Sequence, residues 1–306
     1  MEKLKKEIKE YALKSGFVGC GITGTENFYE YVEVLDNLIS EFPETGPLYK
    51  PMYNRAFIKE RFPWAKSIIV CIRFYGKYKI PEQVKGYIAR NYLFDCRVPQ
   101  NPDYVMVKNF TEWLKSKGMR VRKGGVPDRL VAYKTGLVSI GRNSFAYAGK
   151  YGSWINIITY LVDAELEPDL SSDKKICPTD CTRCIDACPT GAIVKPYKVR
   201  MDKCIAYLTY GAEPPIKKEL EDKMGRWLYG CDICQEVCPL NKDAWEEKEE
   251  LPYLEKISSL LTPEALINMD MEIYKNIIYP LFYYIPPEDI ERWHINAERV
   301  LQLSSE

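Results

Sequence analysis

The chain has 306 residues, 46% of them hydrophobic and 28% charged, and its 43 basic and 43 acidic side chains balance to zero. A mean hydropathy of −0.32 is that of an ordinary soluble protein with material for about two domains. The balance leaves no global basic field to hold a polyanion, and no run of about 18 apolar residues exists to cross a bilayer.

Residues 1–14 mix both charge signs without an apolar stretch, so they do not read as a secretory signal. Leu4, Ile8, Tyr11 and Ala12 fall at helical spacing and predict an amphipathic first helix. Gly16 to Thr23 is a short apolar stretch punctuated by glycine. Ser67 to Arg73 is a near-continuous β-branched run, the pattern of a buried strand. Val105 to Lys117 has helical periodicity and meets a C-cap signal at Gly118. A strand over 119–122, a turn over 123–127, a helix over 128–134 opened by an N-cap, and a strand over 155–162 follow. These elements predict an α/β domain over 1–168. Glu167 to Asp173 is a polar, turn-rich linker. The stretch 245–251 is charged and solvated, Thr262 before Pro263 carries a capping signature, and 245–306 as a whole predicts a short helical segment.

Eight of the 11 cysteines lie between Cys177 and Cys238. The first run is Cys177-Pro-Thr-Asp-Cys181-Thr-Arg-Cys184-Ile-Asp-Ala-Cys188-Pro189. The second is Cys204, then Cys231-Asp-Ile-Cys234-Gln-Glu-Val-Cys238-Pro239. Both end in C-x3-C-P, the spelling of bacterial two-cluster ferredoxins, in which the fourth cysteine of each run ligates the other cluster. The spacing therefore assigns Cys177, Cys181, Cys184 and Cys238 to one 4Fe–4S cube, and Cys188, Cys204, Cys231 and Cys234 to the other, within a ferredoxin-like domain over 169–244. Zinc also takes four cysteines but does not account for two C-x3-C-P endings, and a disulfide framework needs an oxidising compartment that nothing in the sequence directs the chain to. The first run departs from the usual spelling, with three residues between Cys177 and Cys181.

The remaining chemistry-bearing residues read modestly. His294 is the only histidine, so a His-rich metal site or a Ser-His-Asp triad is excluded. Cys20 and Cys71 sit in apolar runs as small core residues, and Cys96 in a polar stretch. Gly136, Gly141, Gly149 and Gly152 serve either as turns or as points where backbone approaches a large planar ring. Among the many tyrosines, Tyr92 and Tyr147 are the better pocket candidates.

Pro63 to Val70, Tyr87 to Tyr92, Pro127-Asp-Arg129, Thr135 to Ser144, Gly152-Ser-Trp154 and both cysteine runs together resemble the epoxyqueuosine reductases, relatives of the reductive dehalogenases. The resemblance implies a cobalamin held by an α/β domain, with Ser139, Gly141, Asn143, Ser144, Gly152 and Ser153 as cofactor-binding residues and Arg122, Arg129 and Tyr92 as candidate catalytic ones. It also implies a ferredoxin or flavodoxin as electron donor, and a helical-repeat tail that is shortened here. Two departures stand out. The place of the family's proton-donating aspartate falls on Arg122, and its Asp-Tyr-His sequence corresponds to Asn91-Tyr92-Leu93. A guanidinium does not give up its proton at working pH. The expectation is thus a cytoplasmic, cobalamin-dependent iron–sulfur reductase of an unidentified small molecule. An electron-transfer protein serving a partner's corrinoid, and a true epoxyqueuosine reductase, are the alternatives, with tRNA disfavoured as a partner by the neutral charge, the short tail and Arg122.

Overall fold

The computed structural model describes residues 2–171 and 175–303. Ser172 and Asp173, the end of the predicted linker, lie outside the described residues. The chain groups into two compact units: residues 1–76, 105–181 and 195–198 form the first, and 77–104, 182–194 and 199–306 the second.

The first unit is built on a four-stranded sheet in the order β1 (Gly19–Thr23), β2 (Ser67–Phe74), β4 (Ile155–Val162), β3 (Val121–Lys123). Every pairing is antiparallel, so the unit mixes helix and sheet without the parallel crossover that a doubly wound fold needs. All eight residues of β2 are buried, which is why its sequence carries no polar alternation. β3 is an edge strand whose two arginine-bearing neighbours, Arg120 and Arg122, are exposed.

Helix α1 (Glu2–Ser15) buries Ile8 and Ala12 and stops at Gly16, whose φ of 112° suits glycine. Asp169 ties it down: one carboxylate oxygen lies 2.8 Å from Lys5 and 2.7 Å from Lys9, and the other accepts the Ile22 N–H of β1 at 2.8 Å. Helix α2 is Tyr29–Glu41. Helix α3 (Pro102–Ser116) belongs to this unit from Val105 onward. Its Phe110 and Trp113 pack on Tyr11, the latter ring stacked at 4.3 Å. Helix α4 (Asp128–Lys134) differs from expectation at its start. Pro127 holds the cap position with no side-chain hydrogen bond, and the Asp128 carboxylate turns to the Thr159 hydroxyl instead. Cys20 and Cys71 face each other across β1 and β2, both buried, as core residues should be.

In the second unit short helices carry or flank the cysteines: Arg183–Asp186 holds Cys184, Ile233–Glu236 holds Cys234, and Cys204 caps Ile205–Tyr210. Ala89, Ile205, Leu208, Met224 and Trp227 form an apolar core against which Tyr92, Cys231 and Ile233 pack. The charged stretch 245–251 is not wholly solvated: the N–H groups of Lys248 and Glu249 donate to the Lys77 carbonyl. Thr262 caps its short helix by accepting the Ala265 N–H at 3.3 Å. The last helix, α5 (Glu291–Leu303), is held by buried Asn296, whose amide donates to the Thr209 and Leu228 carbonyls at 2.9 and 3.0 Å. His294 sits on this helix 3.4 Å from Glu291.

Candidate functional site

On the first unit, a cavity of about 250 Å³ is lined by Tyr31, Arg55, Asp128, Arg129, Ser153 and Asn156 together with several apolar side chains. β4 supplies Asn156, the start of α4 supplies Asp128 and Arg129, and α2 supplies Tyr31. Asp128 Oδ1 accepts the Thr159 hydroxyl at 2.8 Å. Burial pushes its carboxyl above the usual range, and the Thr159 hydroxyl with the Arg55 and Arg129 charges offsets only part of that. Burial likewise raises the Tyr31 phenol against the pull of the same two arginines. The cavity thus holds a carboxyl that keeps its proton to higher pH than an exposed one, beside two fixed cations.

Of the six residues expected to bind cofactor, Ser153 lines this cavity and the others build the hairpin beside it. Ser139 pairs with Tyr147 across that hairpin. A side chain at Gly141 would come within 2.5 Å of the Tyr147 ring. Asn143 donates to the Tyr147 hydroxyl at 3.0 Å and accepts the Phe145 N–H. Ser144 takes a φ of 64°, and its carbonyl accepts Arg129 Nη1 at 2.6 Å. The Gly152 carbonyl accepts the Ala148 N–H at 3.0 Å. Arg129, a predicted catalytic candidate, therefore lines the cavity while braced by the hairpin. Arg122, the second candidate, lies elsewhere in this unit, in an open cleft with Arg61, Phe62, Trp64 and Arg120.

The same hairpin grips the first cysteine run. The Arg142 main-chain N–H donates to Cys177 Sγ at 3.4 Å, and its guanidinium donates to the Cys181 carbonyl at 2.8 Å and to that of Thr179. Arg142 was not singled out from sequence; its place in the Gly-Arg-Asn turn gave no sign of what it would reach.

In the second unit Cys188, Cys204, Cys231 and Cys234 come together. Burial pushes the thiols of Cys204, Cys231 and Cys234 up, and each feels the charge of Cys188 in the same direction. Cys231 and Cys234 also feel Cys204. A buried group of thiols resists ionisation unless a cation binds the thiolates. Among the described residues no group of three or more Cys, His, Asp or Glu is placed to grip a single ion. Asp232, between two of these cysteines, is buried and pushed up to about 7, with Arg90 pulling the other way.

Tyr92, the third candidate, packs in this unit against Tyr229 and Tyr284 at 4.8 and 5.0 Å between ring centres. Burial pushes its phenol well up, helped by Tyr210, Tyr229 and Cys204. It is a wall of the cysteine core and a poor acid. Cys184 and Cys238 also belong to the second unit, Cys177 and Cys181 to the first.

Residues 177–241 match the 4Fe–4S double cluster binding domain. Over 264 residues the chain is 32% identical to an epoxyqueuosine reductase of Cyclobacterium marinum, spanning 82% of this chain and 83% of that one. The chain belongs to the epoxyqueuosine reductase family. A second family member, from Cellulophaga algicola, is 30% identical over 294 residues, 90% of this chain and 92% of its own length. The solved Bacillus subtilis epoxyqueuosine reductase, described with its catalytic loop swung out of the active site, is 26% identical. It superposes with a TM-score of 0.79 over 98% of this chain and 81% of the other. An epoxyqueuosine reductase solved with an epoxyqueuosine-modified tRNA-Tyr stem loop gives a TM-score of 0.80 at 25% identity, with the same coverage. As a member of this family the chain is an oxidoreductase with a double 4Fe–4S domain. Among the described residues no helix is long and apolar enough to cross a membrane.

Proposed function

We propose that the chain is itself an epoxyqueuosine reductase acting on tRNA, using two 4Fe–4S clusters and a corrinoid. The observation that carries the reading is the kinship with the Cyclobacterium marinum epoxyqueuosine reductase, at 32% identity over more than four-fifths of both chains. It reverses the order of preference drawn from sequence, which put a small molecule first. The short tail does not separate this chain from every relative: the match reaches 92% of the Cellulophaga algicola protein, against 64% of the Bacillus subtilis one. Zero net charge describes a sum and not its distribution.

Turning an epoxide into an alkene takes two electrons and two protons and releases the oxygen as water. The eight cysteines fit two cubes, in the alternating assignment read from spacing, and a ferredoxin or flavodoxin is the donor the reading requires. A bound corrinoid supplies a strongly reducing centre for the carbon–oxygen bond. At about 250 Å³ the cavity is below the usual size for a whole drug-sized ligand. Its polar groups therefore suit one edge of a corrinoid, which Ser153 and Arg129 would hold. Asp128 then takes the part that Arg122 cannot: a carboxyl whose pKa burial raises, beside Arg55 and Arg129, donates a proton to the departing oxygen. The two arginines steady the negative charge left behind.

The test is to incubate anaerobic, cluster-loaded protein with epoxyqueuosine-containing tRNA, cobalamin and a strong reductant, then to digest the RNA and look for queuosine. Conversion is expected. Protein with both clusters intact and corrinoid bound that forms no queuosine refutes the reading. Arg122 in the place of the family acid favours a second reading, reduction of a different substrate, for which turnover of a small epoxide free of RNA is the measurement.

A further inference from the structure

The cleft at the edge of the sheet is a different object from the cavity at Asp128. About 470 Å³ in size, it is lined by Arg61, Phe62, Trp64, Arg120, Val121 and Arg122. Arg120 and Arg122 are two residues apart on the exposed edge strand, so both project to one side. Arg61 and Arg122 each stand over the Phe62 ring at 4.8 Å, and Arg120 over Trp64 at 4.3 Å. The two rings meet edge to face at 6.5 Å. Like charge on Arg122 and Arg55 adds to burial in making the Arg61 cation less favourable.

No carboxylate pairs with Arg61, Arg120 or Arg122 among the described residues; Asp163 accepts only the Arg120 main-chain N–H, at 2.9 Å. Arg61 spends Nη1 on the Asn54 and Gly125 carbonyls. The guanidiniums of Arg120 and Arg122 make no hydrogen bond within the described residues. In a chain with equal numbers of acids and bases, three crowded cations without an acid mark a place where an anion is missing. A guanidinium stacked on a ring keeps its N–H edge free for two parallel bonds to phosphate. Phe62 is buried under its two guanidiniums, whereas half-buried Trp64 keeps part of its ring open to a base.

We infer that this cleft binds a phosphorylated nucleoside unit, the phosphate on Arg120 and Arg122 and the base against Trp64. A unit within an RNA strand as the source rests on the tRNA reading above; a free nucleotide does not. The protein as isolated, without reductant or corrinoid, separates the two questions, because binding is read whether or not queuosine is ever formed.

The experiment follows tryptophan fluorescence while titrating a nucleoside monophosphate, a short single-stranded RNA, or inorganic phosphate. The first two should quench, with Trp64→Phe removing the response, and either Arg120→Gln or Arg122→Gln should weaken binding about tenfold. Both substitutions are exposed, so unchanged circular dichroism and iron content show that the fold is kept. If RNA binds more tightly than the mononucleotide, the source is a strand, and binding should fall with salt at a slope of about −0.7 per phosphate held. Equal binding assigns a free nucleotide. Inorganic phosphate binding as tightly as either, titrations untouched by both glutamine variants, or no quenching at all overturns the inference.

Discussion

The main-chain N–H of Arg142 points at the sulfur of Cys177 across 3.4 Å while its side chain holds the Cys181 and Thr179 carbonyls. One residue of the hairpin thus fixes both the sulfur and the loop that presents it. Hydrogen bonds to sulfur tune a cluster's potential, and a planar fork that reaches two carbonyls has no equal in lysine. Arg142→Ala should therefore leave the fold intact but make one of two clusters labile, and Arg142→Lys should not restore it. Iron retained per chain after desalting, with electron paramagnetic resonance of the reduced protein, checks this.

The alternating ligand assignment predicts about eight irons and eight acid-labile sulfides in anaerobic protein. Cys188→Ser should damage the cube held by Cys204, Cys231 and Cys234, and Cys238→Ser the one held by Cys177, Cys181 and Cys184. Mössbauer or resonance signals that implicate the opposite cube in each variant would show that the runs do not exchange their fourth ligand.

Asp128→Asn separates a proton donor from a structural carboxylate. The amide oxygen still accepts from Thr159, so packing survives while the transferable proton is gone. Turnover should fall by about 10²–10⁴, the usual share of general acid catalysis. Stability should move the other way. Because its folded pKa is raised, the carboxyl favours folding below its unfolded value of about 4, and that advantage is lost as pH rises through the folded value. At neutral pH the variant should melt no lower than the parent, and its relative advantage should fade as pH falls from the folded value towards about 4. Thermal melts across pH, set beside the rate loss, test both halves.

Gly230 sits at φ 74°, and a methyl there would come within 2.4 Å of the Tyr92 ring and 2.6 Å of Ala89 Cβ. Left-handed strain and overpacking together put the cost of Gly230→Ala at about 3 kcal/mol. Because Cys231 is the next residue, loss of visible cluster absorbance should accompany the lowered melting temperature.

The sequence made the strongest local signals plain. The β-branched run at 67–73 became β2, and the periodic stretch ending at Gly118 became α3. Residues 155–162 became β4. The family and its double-cluster domain were legible because thiolate spacing is a local property of the chain. What stayed hidden was set by tertiary contact. Antiparallel pairing throughout the sheet cannot be read from apolar runs that look alike in either sense. Asp128 has the composition of a cap, yet its partner is 31 residues away at Thr159. Arg61, Arg120 and Arg122 look like ordinary solvated charges until the fold brings Arg61 and Arg122 over Phe62 and Arg120 over Trp64.

The two units are interleaved along the chain, with residues 77–104 belonging to the unit that otherwise begins at 182. That early segment is joined to late ones by backbone: the Ala89 N–H donates to the Tyr229 carbonyl and the Lys79 N–H to that of Glu249. No single cut therefore parts the two units: one after residue 198 leaves 77–104 and 182–194 with the other unit, and one after residue 76 leaves 105–181 with it. The second unit thus cannot be lifted out of the chain as one continuous segment.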